Sequence, residues 1–209
     1  VNLLQMLRQE GITLVFIFME ALAIVHPVTN TPIGTLPRAQ AIQEGAWCRS
    51  TNIFVMNSQG QILCHQRSLQ KERMPGFWST HLGGHVSGTE SYESNALKEL
   101  EEESGIVVKA EELIPWRTTR LDKARLWVRE YVVHSDKEIH ELVPQPGEVE
   151  RFAWLSPEEI LRVSKNDNQW CAGTHDFMIE YHCLRAAITA TGQHRGHDDV
   201  LHTWHPLAQ

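Results

Sequence analysis

Cysteine is scarce in this sequence and poorly spaced for cross-linking. Cys48, Cys64, Cys171 and Cys183 contain no C-x-x-C pair, so neither a zinc site nor a disulfide framework is signalled. No secretory signal pattern is evident, and the expectation is reduced thiols in a cytoplasmic protein. Long apolar runs are also missing. The stretch from Gly11 to Val25 is broken by Glu20 and falls short of the ~20 residues a bilayer span requires; it reads as buried strand material. An excess of positive charge is lacking too. The formal net charge of −7 excludes a global basic footprint for duplex nucleic acid. An acidic protein that acts on an anionic phosphate compound needs local cations, which a bound metal would supply. No repeat or low-complexity block is present.

The 209 residues are 42% hydrophobic and 22% charged, enough apolar material for a real core. The expected organisation is one domain over residues 1–192, with an N-terminal strand extension, followed by a polar, histidine-rich tail over 193–209. Residues 12–25 read as strand and Asn30-Thr31-Pro32-Ile33-Gly34 as a turn. Ser50 to Asn57 and Gln61 to Arg67 read as two strands joined by a tight turn at Ser58-Gln59-Gly60. Trp78 to Leu82 reads as a strand leading to Gly83-Gly84.

Tyr92, Ala96 and Leu100 recur at spacing four, which predicts a helix, and Gly105 sits where a helix C-terminal stop belongs. Further strands are predicted at Ile106–Val108, Ile114–Thr119, Leu126–His134 and Phe152–Leu155, with a long loop over 135–147. Ser156-Pro157-Glu158-Glu159 carries the signature of a helix start. Thr174 is placed to cap a third helix with an apolar stripe at Phe177, Tyr181, Leu184 and Ile188. Strands outnumber helices and do not alternate strictly with them, which argues for a mixed sheet between helices and against a doubly wound parallel sheet.

Glu99, Glu102 and Glu103 lie at i, i+3 and i+4 and project from one helix face. Like charges there destabilise the helix unless something neutralises them. A hard divalent cation with oxygen ligands does so, and Mg²⁺ suits; Mn²⁺ is a second candidate. A solvated acidic face is the bland alternative. Gly83 and Gly84 lie just upstream, where glycine lets backbone approach a metal or phosphate closely.

The spacing is more specific than the carboxylates alone. Gly84, Glu90, Lys98-Glu99-Leu100, Glu102-Glu103 and Gly105-Ile106 resemble the Nudix box, with lysine at Lys98 where that family usually has arginine. The resemblance extends over roughly residues 20–165 by the same motif reading. It includes Gly60 to Leu63, Gln66 to Ser68, Pro75 to Trp78, and Glu148-Val149-Glu150 to Ser156. It implies an α/β fold, the Nudix α/β/α sandwich around a mixed β-sheet. Within the superfamily, the Arg67…Lys71…Pro75-Gly76…Trp78…Gly84-His85 pattern is most similar to the isopentenyl-diphosphate isomerase branch. The isomerase's catalytic cysteine falls on Gly83, however, and of its metal-binding histidines only His85 remains.

The resemblance implies a hydrolase of a small organic diphosphate, with a nucleoside diphosphate derivative as the default substrate. Glu99, Glu102 and Glu103 would hold Mg²⁺ with the Gly83 or Gly84 carbonyl. Glu102, Glu103 or, from a later loop, Glu148 would serve as general base, and Lys98 would orient Glu99. Arg67, Lys71 and His85 are candidates for substrate binding. Trp47, Phe77, Trp78, Trp116 and Trp127 could stack a nucleobase, although aromatics are more often core. An isomerase-like enzyme and a non-catalytic diphosphate-binding module remain open as alternatives, and a homodimer is a candidate assembly.

Overall fold

The computed structural model describes residues 21–166, 169–171, 174, 178 and 181. Among the described residues, eight strands form one mixed sheet. They are β1 (Ala21–Val25), β2 (Pro32–Pro37), β3 (Cys48–Met56), β4 (Ile62–Arg67), β5 (Trp78–Ser79), β6 (Ile114–Leu121), β7 (Leu126–His134) and β8 (Val149–Leu155). Among the described residues three helices have defined bounds: α1 (Arg38–Glu44), α2 (Tyr92–Ser104) and α3 (Pro157–Asn166). The sheet is sandwiched, as the mixed α/β/α arrangement requires. One face packs Ile53, Val55, Leu63, Tyr131 and Phe152 against Ala96 and Leu100 of α2. The other packs Ile62 and Cys64 against Ile160 of α3, Trp170 and Met178. Removing this apolar surface from water is the main drive for the layering.

The sheet is split at its centre, and the split positions the site. β7 runs parallel to β3 along its whole length, from Cys48↔Leu126 to Met56↔His134. β3 and β4 instead pair only at Met56↔Ile62, beside their tight turn. Into the wedge between them runs the segment from Trp78 to Ser87. Trp78 and Ser79 pair with β4, Leu82 and His85 bridge to β3, and Ser87 bridges to β1. Gly83 and Gly84 therefore sit mid-sheet, against Thr51.

α2 starts with a capping box in which Ser91 accepts from the Ser94 N–H, and it stops at Gly105 in the left-handed conformation, φ 70°. Its buried face is Asn95, Ala96, Leu100, Glu103 and Ser104. α3 starts as its sequence signature predicts: the Glu159 N–H donates to Ser156 Oγ at 3.2 Å and the Ser156 N–H to Glu159 Oε2 at 2.8 Å.

Several expectations need correction. Ile106–Val108 is not a strand; Ile106 and Val108 pack into the core but pair with no backbone among the described residues. The strand at Trp78 ends at Ser79, because the chain then leaves β4 for β3. The turn expected at Asn30–Gly34 lies earlier, at residues 27–29. Asn30 closes it with φ 57°, and Pro32 already begins β2. α1 was not expected at all. The loop over 135–147 contains a short 3₁₀ turn, Ile139–Glu141. Thr174, Met178 and Tyr181 are helical. Residues 12–20, Phe177, Leu184, Ile188 and the tail over 193–209 lie outside the described residues.

Candidate active site

The acidic face of α2 does not present its three carboxylates equally. Glu103 is buried at 7% exposure, Glu99 is half-buried and Glu102 exposed. Glu103 Oε2 accepts the Gly83 N–H at 2.8 Å, which ties the helix to the glycine pair. Burial pushes the Glu103 carboxyl up to about 8; the negative charges of Glu99 and Glu148 add to this, and the Gly83 bond and the Lys71 charge oppose it. The metal-free helix thus favours the protonated, uncharged form of Glu103.

Glu99 lies against Gly84. A Cβ on that glycine would come within 2.7 Å of Glu99 Oε1, so only glycine lets the backbone and the carboxylate approach this closely. The two glycine carbonyls differ. The Gly84 oxygen accepts from the Thr51 N–H at 2.9 Å and from Ser50 Oγ at 2.9 Å, so both lone pairs are used. Among the described residues no donor takes the Gly83 carbonyl. Of the two expected backbone ligands, Gly83 is the one with a free oxygen.

The residues fit a hard divalent cation: two partly or fully buried carboxylates, a free carbonyl and an exposed third carboxylate are all oxygen donors. They are gathered but not closed. Among the described residues, no three His, Cys, Asp or Glu side chains converge on one point.

Lys98 was expected to orient Glu99, but its ammonium pairs with Glu90 at 3.6 Å. Adjacent helix residues project about 100° apart, so Lys98 and Glu99 do not share a face. Burial alone would lower the Lys98 pKa; the fields of Glu90, Glu102 and Glu99 outweigh it and raise it. Lys71 and Glu148, expected as substrate ligand and base, form an ion pair with each other. The Glu148 carbonyl also accepts the Ser68 N–H at 2.9 Å, which brings the late loop to the basic one. Arg67 Nη2 donates to the Arg73 carbonyl at 3.1 Å, while its buried Nε has no partner. His85 stands beside β3, and its carbonyl accepts from Asn95 Nδ2 at 3.1 Å.

Sequence reasoning missed three residues. His65 is buried on β4 with Nδ1 unpartnered. Burial, then the charges of His81, Arg67 and Lys71, drive its pKa down to about 3, so it is neutral. Asn95 and Thr51, both 0% exposed, join α2 to β3 through a Thr51 Oγ1 to Asn95 Oδ1 bond of 2.7 Å. A polar residue in a helix and a threonine in a strand give no signal of such a link. The aromatic candidates are mostly engaged in packing: Trp78 stacks on Trp170, Trp116 meets Phe54 edge-on, Arg120 lies over Trp47, and Trp127 Nε1 donates to the Pro27 carbonyl.

Comparison with known proteins gives this geometry a context. The family model described as the NUDIX domain matches residues 47–175. An uncharacterised Nudix hydrolase of Pseudomonas aeruginosa is 43% identical over 77 residues, 37% of this chain and 46% of that protein; the match spans less than half of that relative. An isopentenyl-diphosphate Delta-isomerase of Burkholderia multivorans is 26% identical over 190 residues, 89% of this chain and 98% of that one. The crystal structure of a Deinococcus radiodurans protein superposes with a TM-score of 0.65 at 24% identity, covering 77% of this chain and 98% of that chain, which shows a shared fold.

Proposed function

The chain belongs to the NUDIX family, and from that premise we propose that it is a Mg²⁺-dependent hydrolase of a small organic diphosphate derivative, a nucleoside diphosphate derivative first among them. The observation that carries the reading is the buried Glu103 carboxyl, bonded to Gly83 and pushed up to about 8 beside Glu99. A binding module that only holds a diphosphate has no need of a buried carboxyl beside a second carboxylate and a glycine carbonyl.

Glu99, Glu103 and the Gly83 carbonyl would hold the cation; Mn²⁺ is the alternative ion. When bound, it neutralises the diphosphate and acidifies the attacking water. Glu102 is exposed on the same face and is the preferred acceptor of the water's proton. Glu148 is the second candidate, but Lys71 must release it first. Arg67 and Lys71 would then bind the diphosphate. The reading places the protein in the cytoplasm with a small-molecule substrate. No helix among the described residues is long and apolar enough to cross a membrane.

The isomerase alternative meets a steric obstacle. Gly83 has φ +132°, and a Cβ there would lie 2.1 Å from the Thr51 carbonyl oxygen, so this backbone has no room for the isomerase's thiol. A phosphate-release screen over nucleoside diphosphate derivatives, with and without phosphatase coupling and with and without chelator, tests the proposal. Chelator-sensitive turnover is expected. Double-bond migration in isopentenyl diphosphate, or no turnover across the panel, would overturn it.

A further inference from the structure

Asparagine is a poorer helix former than alanine, and a buried amide is costly unless its hydrogen bonds are met. Asn95 is nevertheless fully buried within α2. Its side chain is surrounded by the site. Oδ1 accepts from Thr51 Oγ1 at 2.7 Å. Nδ2 faces the His85 carbonyl at 3.1 Å, Glu90 Oε2 at 3.3 Å and Glu99 Oε1 at 3.4 Å. Three oxygens around the nitrogen and a hydroxyl at the oxygen fix the orientation of the amide, since a flip would set oxygen against oxygen.

Resting on the metal-dependent reading above, we propose that Asn95 is a positioning residue, which anchors to β3 through Thr51 and holds Glu99 and Glu90 against the glycine segment so that the cluster is set for its cation. Asn95 and Glu99 are one helical turn apart and share a face. Two N–H hydrogens facing three oxygens fix the positions of those oxygens relative to one another. The donor is neutral, so it gathers the carboxylates without cancelling their charge, and a cation is still needed. A lysine in this place would supply the charge itself. Thr51 completes the clamp: its N–H donates to the Gly84 carbonyl at 2.9 Å while its hydroxyl holds Asn95. One strand residue thus fixes the glycine pair and the helix together.

The test is calorimetric titration of the metal-free full chain with Mg²⁺, and with Mn²⁺ as a second probe, alongside thermal unfolding in chelator. Asn95→Ala should weaken binding of both ions by about tenfold, the factor that roughly 1.4 kcal/mol supplies. Thr51→Val, which leaves the amide but removes its anchor, should weaken binding about threefold, the same conversion giving roughly 0.65 kcal/mol. Thr51→Ser keeps the hydroxyl and should bind as the wild type does. A folded Asn95→Ala protein with a lowered melting temperature but ion affinity within about twofold of wild type would show a merely structural role and overturn the proposal. If Asn95→Ala does not fold, the Thr51→Val and Thr51→Ser pair decides by the same readout. If the wild type binds neither ion, the metal reading itself fails, and the positioning role fails with it.

Discussion

Replacing Glu103 with glutamine should make the metal-free protein more stable at neutral and alkaline pH. The Glu103 carboxyl moves from an ordinary 4.5 to about 8 on folding. Between those values the folded state binds more protons than the unfolded state, so stability falls as pH rises. The contribution is intact below 4.5 and lost as pH rises through about 8. Between pH 5 and pH 8 the loss is on the order of 3 kcal/mol, or roughly 6–12 °C in melting temperature for a chain of this size. Glutamine keeps an acceptor for the Gly83 N–H and carries no charge to bury. Thermal unfolding in chelator over this pH range should show wild type losing stability and Glu103→Gln staying flat relative to it. Adding Mg²⁺ should rescue wild type and leave the variant unchanged. Parallel pH profiles for the two proteins would refute the reasoning, because they would show that Glu103 is not a strained buried acid.

The same proton competes with the cation. Mg²⁺ affinity should rise about tenfold per pH unit below about 8 and level off above it, with close to one proton released per ion at pH 7 in calorimetry across two buffers. Gly83→Cys should cost at least about 2 kcal/mol, from the strained φ and the contact with Thr51, and should not install double-bond migration; unfolding and an isomerisation assay check both. Lys98→Arg should equal or exceed wild-type turnover, by up to about tenfold, because a guanidinium can reach Glu90 at least as well. Lys98→Ala should be slower than both, and matching rates in all three would make Lys98 a bystander.

The parts of the molecule with local signals were legible in the sequence. α2 was marked by its four-residue apolar spacing and by Gly105, α3 by its capping box, and the β3–β4 turn by Ser58-Gln59-Gly60, which Gly60 completes with φ 75°. β2 and α1 were not legible. β2 is bounded by prolines and largely exposed, so it shows no inside–outside alternation. α1 buries only Ala41, too little for a stripe. The wedge between β3 and β4 was invisible because it arises from pairings between distant segments.

At the site, spacing identified the shared face of Glu99, Glu102 and Glu103 but could not rank them. Which carboxylate is buried depends on the rotation of α2 against the sheet, which the core residues Ala96 and Leu100 set. Spacing also could not separate Gly83 from Gly84, since the difference lies in which carbonyl Thr51 and Ser50 engage. The Lys71–Glu148 pair joins residues 77 positions apart, and nothing local to either announces it.

The central claim is that the carboxylates of α2 carry cation-dependent hydrolysis of a diphosphate. The most direct measurement is the turnover of wild type, Glu102→Gln and Glu103→Gln on the best substrate of the screen at saturating Mg²⁺. Each variant should lose at least about a hundredfold, the scale of one acid–base or electrostatic contribution, while remaining folded. Near-wild-type rates in both variants would contradict the account.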